Sequence, residues 1–196
     1  MDDFLMHYGI SGMKWGVRRF QMKGSSKRTE AGKKRYAHSK DKKISSPAGL
    51  AKAVKKFKYK NYTKLMSPSE VSKTGKGSCH DQVMYVMSEL RKMGLKPKAM
   101  FIMEADDKGQ GGMTHSFVYF QDGDKVVWFE NAWQERSGIT EYNSLNEIKA
   151  EIRKAHNTGE FGNKSKYNNL IFSKFDDTKH KPGESLQEFV DVCLRS

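Results

Sequence analysis

Residues 114–131, THSFVYFQDGDKVVWFEN, decide how the chain folds. Two runs rich in β-branched and aromatic residues, 114–120 and 125–131, flank QDGD. Asp-Gly between such runs is the strongest short-range hairpin signal, so the two runs pair antiparallel. With Asp122 and Gly123 as the turn, Gln121 faces Asp124, and the register runs on to set Tyr119 opposite Val126, Phe117 opposite Trp128 and His115 opposite Glu130. Directly opposed side chains share a face with Cβ atoms about 4.5–5.5 Å apart, within reach of a carboxylate–imidazole hydrogen bond. Val118 and Val127 fall on the other face, and Asn131 points away from His115.

Upstream of the hairpin, KAMFIM (98–103) reads as a further strand and EADDKGQGGM as a polar loop with Glu104, Asp106 and Asp107 solvated. Before these, HDQVMYVMSELRKM (80–93) places Val83, Val86, Met87, Leu90 and Met93 on one stripe, the pattern of a helix buried along one face, with Gly94 as its stop. Cys79 falls at the first turn of that helix, after the turn-rich SKTGKGS. There the unpaired N–H groups and the positive end of the helix dipole favour a thiolate, the nucleophilic form. Downstream, SLNEIKAEIRKA (144–155) reads as a helix begun by Ser144 with Glu147 three residues on, NNLIFSKF as a strand, and SLQEFVDVCLRS as a helix begun by Ser185 with Glu188. The fold class is α+β, a helix bearing the nucleophile packed on an antiparallel sheet.

A cysteine at a helix start, a histidine on one strand and a carboxylate on its neighbour make a coherent set. The thiolate attacks a carbonyl, the imidazole exchanges protons with thiol and leaving group, and the carboxylate fixes tautomer and orientation. The catalytic candidates are Cys79, His115 and Glu130, with Asn131 as the alternative third member. His80, Asp81, Trp128 and Trp133 read as structural, and Cys193 as a packed thiol of the last helix.

The order Cys, His, carboxylate resembles the transglutaminase-like branch of the papain-type cysteine enzymes. The resemblance covers about 75–135. It rests on Gly77-Ser78-Cys79-His80-Asp81, similar to the family's Gly-x-Cys-x-Asp; on Thr114-His115-Ser116-Phe117, similar to its strand-borne histidine; and on Trp128-Phe129-Glu130-Asn131-Ala132-Trp133, similar to its Asp-x-Thr-Trp. Glu130 stands where the family has Asp, and Ala132 where it has Thr. What the resemblance implies is a papain/transglutaminase-like fold and a cysteine-dependent hydrolase or acyltransferase acting on protein or peptide amide bonds.

Charge divides the chain elsewhere. Residues 1–66 hold 18 Lys or Arg against 4 Asp or Glu, a balance of +14, and residues 67–196 hold 18 against 19, a balance of −1, which together give the net +13. The basic third is rich in Lys, Ser and Gly, a composition too poor in apolar surface to offset its ordering entropy, so residues 21–66 read as a flexible basic arm. Within it, AGLAKAVKKFKY (48–59) spaces Leu50, Val54 and Phe57 as a short amphipathic helix suited to docking on the domain or on an acidic partner. Such an arm fits a capsid or nucleic-acid contact. Residues 67–196 form the enzyme domain.

The first twenty residues carry a different signal. His7, Tyr8, Gly9, Gly12, Met13, Lys14, Trp15, Gly16, Arg18 and Arg19 together resemble the N-terminal tag of proteins encoded among phage and prophage head genes, which implies a phage context and no chemistry. The location this implies is a bacterial host cytoplasm or a virion. The start MDDFLMHYG has no signal-peptide pattern, and no apolar run approaches the roughly 20 residues of a membrane span. No cluster of Cys and His points to zinc and no Gly-rich phosphate loop follows a strand, so neither metal nor cofactor is expected.

Overall fold

A computed structural model describes residues 44–61, 63–109 and 111–195. The tag expected over 1–20 and the part of the arm before residue 44 lie outside the described residues. The elements are α1 (Pro47–Val54), β1 (Lys58–Tyr59), α2 (Pro68–Thr74), β2 (Lys76–Gly77), α3 (Cys79–Lys92), β3 (Lys98–Ala105), β4 (Gly111–Asp122), β5 (Lys125–Glu130), β6 (Gly138–Tyr142), α4 (Leu145–Thr158), β7 (Asn169–Phe175) and α5 (Leu186–Leu194). Strands β6-β5-β4-β3-β7 form one antiparallel sheet in that spatial order. The class is α+β with an antiparallel sheet.

Helices cover both faces of the sheet. On one face, Val83, Val86, Met87 and Leu90 of α3 pack with Phe101, Val118, Phe120, Val127 and Phe129, joined by Val71 of α2 and Phe189 of α5. On the other, Ile148, Ile152 and Ala155 of α4 pack with Met100, Ile102, Phe117 and Trp128. Alternate residues of each strand thus enter different cores, which is why β3 is buried from Ala99 to Ala105 without a break.

The hairpin forms with a different turn from the one expected. Gly123 and Asp124 are its central residues, Asp122 pairs with Lys125, and Val118 faces Phe129 instead of Val127. Gly123 has φ 59°, and the first central position of a primed hairpin turn is where a positive φ is required. A glycine meets that need without a Cβ clash, and it leaves Asp122 and Lys125 as an opposite-charge cross-strand pair. Every partner moves two places along the opposing strand, so each side chain keeps its expected face.

The packed unit begins earlier than the boundary expected at 67. Ile44 packs against the α3 core, and Leu50, Val54 and Leu65 are buried in it. Pro47 at the first turn and Ser46 Oγ, accepting from the Gly49 N–H, start α1 with its apolar stripe facing α3. The amphipathic helix of the arm is therefore docked on the domain. Glu104 is a second correction. It lies in β3, not in a solvated loop, and is 1% exposed, accepting from His156 Nε2 at 3.0 Å and from the backbone N–H groups of Met113 and Asn163.

Candidate functional site

Gly77-Ser78-Cys79-His80-Asp81 is first a helix start. Ser78 is the N-cap: its hydroxyl accepts from the Asp81 N–H, while Asp81 Oδ2 accepts from the Ser78 N–H and hydroxyl. Asp81 Oδ1 accepts from the Met66 N–H at 2.7 Å and so ties the preceding chain to the helix. A Cβ at position 77 would stand 2.9 Å from Asp81 Cβ, so a larger residue there must displace the Asp81 side chain. Asp81 thus fixes the backbone on which Cys79 sits.

His115 and Glu130 meet on the expected face, though not as directly opposed residues. The β4–β5 ladder ends at Val118 and Phe129, so beyond it the strands are joined by side chains. His115 Nε2 lies 3.0 Å from Glu130 Oε2, and Glu130 Oε1 accepts from the Ala132 and Trp133 N–H groups at 2.9 Å each. Both residues are buried. Cys79 Sγ lies 3.9 Å from the Thr114 carbonyl oxygen and shares the site with the His115 imidazole, whose Nδ1 is the nitrogen not engaged by Glu130. The His115 ring rests edge-on against Phe161.

Asn131 does not touch His115. Its Nδ2 donates to the Cys79 carbonyl at 3.2 Å, so its place is at the nucleophile's backbone, not at the imidazole. Its Oδ1 is buried without a hydrogen-bond partner. The reason is period-two alternation: the residue after Glu130 projects to the opposite side of the strand, the side from which α3 approaches.

The electrostatics favour a thiolate–imidazolium pair. Burial pushes the Cys79 thiol up, and the neighbouring His80 and His115 imidazoles, through charge and hydrogen bonds, outweigh it and bring the thiol down to about 5. Burial alone would lower His115; the Glu130 carboxylate and the Cys79 sulfur raise it to about 10. His80 joins this site although the sequence presents it as structural. Its Nδ1 lies 2.8 Å from Ser116 Oγ and its Nε2 3.3 Å from Thr114 Oγ1, with the ring against Phe189.

Tyr59 of β1 was not legible as a site residue. Its phenol neighbours Cys79, and burial, then the Cys79 sulfur, push its pKa up. A two-residue parallel bridge, Tyr59 to Gly77, makes this contact, and no sequence pattern announces so short an element.

Cys193 offers an internal comparison. Its Sγ lies 3.6 Å from His180 Nε2, and His180 Nδ1 lies 2.6 Å from Glu184 Oε1. The same three side-chain types therefore meet twice. Yet Cys193 has no exposed surface, and burial followed by the Glu184 charge pushes its thiol up to about 12. It is a packed core residue, as its helical stripe indicates. Among the described residues no group of three or more His, Cys, Asp or Glu side chains is arranged to hold a metal ion, and no helix is long and apolar enough to cross a membrane.

Comparison with known proteins adds little on chemistry. Residues 1–21 match the model of a family of unknown function, DUF7211, which assigns the segment no role. No curated protein matches. Among solved structures, the chain is similar to Legionella pneumophila LapG (EGTA-treated), at 15% identity and a TM-score of 0.42, over 83% of this chain and 88% of that one.

Proposed function

We propose that the chain is a cysteine-dependent hydrolase or acyltransferase acting on protein or peptide amide or isopeptide bonds, of protease, deamidase or transglutaminase type, with Cys79, His115 and Glu130 as its catalytic residues. One observation carries the reading: His115 is held by Glu130 through Nε2 at 3.0 Å, beside a helix-start thiol that the His80 and His115 imidazoles bring down to about 5. In the reaction, the Cys79 thiolate attacks the carbonyl carbon. The imidazolium then gives its proton to the leaving nitrogen, and the resulting imidazole deprotonates the water or amine that resolves the thioester. Glu130 keeps the ring oriented and stabilises its charge.

The test uses p-nitrophenyl acetate on the full chain. Release of nitrophenolate with the acetyl group mapped to Cys79 is expected, slowed in His115→Ala. A wild-type chain acetylated at Cys79 no faster than at Cys193 removes the reading.

The basic arm supports a second, compatible role. Its balance of +14 over residues 1–66 suits contact with capsid or nucleic acid in a phage or prophage setting. Binding to a DNA duplex should weaken steeply with salt and be lost on deleting residues 1–43; salt-independent association would count against it.

A further inference from the structure

The His115–Glu130 pair stands where the sheet gives it little backbone support. The β4–β5 ladder ends at Val118 and Phe129, so at His115 strand β4 is paired with β3 alone, Ile102 lying opposite His115 and Met103 opposite Thr114. That pairing in turn shifts register between Met103 and Ala105, and the residue at the irregularity is Glu104. Its Oε2 accepts from the Met113 N–H at 3.0 Å. A side chain thus holds strand β4 two residues before His115, at the point where the ladder is interrupted.

The same carboxylate holds the wall beside the imidazole. Glu104 Oε1 accepts from His156 Nε2 at 3.0 Å and from the Asn163 N–H, and these two residues bracket the turn that carries Phe161. The Glu160 and Phe161 N–H groups both donate to the Ala155 carbonyl and close that turn. Gly162 passes so near the carboxylate that a Cβ there would collide with Glu104 Oε1, and its φ of 70° suits a glycine. Phe161 is thereby set with its ring centroid 5.8 Å from that of His115, edge-on, and 4.9 Å from that of Trp133, whose backbone N–H bonds Glu130. One buried carboxylate fixes both the strand under the imidazole and the ring next to it.

We propose that Glu104 is a positioning residue of the cysteine site, holding β4 and the Phe161 turn so that the His115 imidazole keeps its orientation toward Cys79; this rests on the acyl-transfer reading above. An imidazole free to turn would leave Glu130 or the thiol, and a misplacement of about 1 Å can cost on the order of 100-fold in a reaction that depends on alignment. Glu104 touches no reacting atom and exchanges no proton. Its bonds call for a carboxylate, because both oxygens accept and two of the three donors are backbone N–H groups, which cannot reverse their role.

Two variants test this. Glu104→Gln keeps the shape but sets an amide N–H against a backbone N–H whichever way the amide is turned. Phe161→Leu keeps apolar bulk and removes the ring. The readout is the pH midpoint of Cys79 alkylation by iodoacetamide on the full chain, which a loss of stability alone does not move. From a wild-type value of about 5, the midpoint should rise in both variants by about 0.5–1 pH unit toward that of His115→Ala, a part of what an opposite charge beside a titrating group contributes. Ile148→Val thins the same core at the other end of α4 and should leave the midpoint in place. An unmoved midpoint in folded Glu104→Gln, or an equal shift in Ile148→Val, overturns the assignment and leaves the cysteine site standing. Where Glu104→Gln does not fold, Phe161→Leu decides in the same way. A wild-type midpoint near the ordinary thiol value of about 8.5, indifferent to His115→Ala, removes the site and the role of Glu104 together.

Discussion

Cys79 and Cys193 each lie beside an imidazole paired with a glutamate, yet their thiols shift in opposite directions, down to about 5 and up to about 12. The difference is surroundings. Cys79 opens a helix between two imidazoles, whereas Cys193 sits late in α5 in an apolar core with the Glu184 charge behind His180. Glu130 maintains the charge of His115, so Glu130→Gln should lower the imidazolium pKa below its value of about 10. The pH at which His115⁺ loses its proton should then move down. An NMR titration of the His115 ring checks this, and an unmoved midpoint would mean that Glu130 does not set the charge of His115.

At the scale of elements, the site depends on how α3 begins and on where the β4–β5 ladder stops. Gly77→Ala drives a Cβ to 2.9 Å from Asp81 Cβ and should cost about 1–3 kcal/mol in urea unfolding, as other overpacked sites do. A cost below about 0.5 kcal/mol, the range of ordinary surface changes, would show that the Ser78–Asp81 cap yields. The helix, the hairpin and the shared face of His115 and Glu130 were legible because period and parity are local properties of the chain. The hairpin register was not, since Asp-Gly permits either Asp122-Gly123 or Gly123-Asp124 at the turn. The site survived that error because the shift was even: Glu130 stayed on the face of His115, and Asn131 turned toward Cys79. Tyr59 and Glu104 escaped because their partners, Cys79 and His156, are distant in sequence and meet them only through tertiary packing.

At the scale of the molecule, composition misplaced the domain's start. Lys52 of α1 and the Lys55 and Lys56 that follow it are exposed and mask a stripe whose Leu50 and Val54 are buried. Leu50→Ala should therefore destabilise the whole domain by about 2–5 kcal/mol in urea unfolding, the usual cost of emptying a core leucine. A loss under about 1 kcal/mol would return α1 to the arm. The folded unit thus brings together β1, α3 and the ends of β4 and β5 around one thiol, an ionised nucleophile in the proposed reaction, with His115 as its partner. Iodoacetamide labelling of the full chain across pH, read by peptide mass spectrometry at both cysteines, tests this most directly. The Cys79 rate should rise through pH about 5 and level off before neutrality, with Cys193 unlabelled and the midpoint moved upward in His115→Ala. A Cys79 rate that rises only near the ordinary thiol value of about 8.5, and is indifferent to His115→Ala, would contradict it.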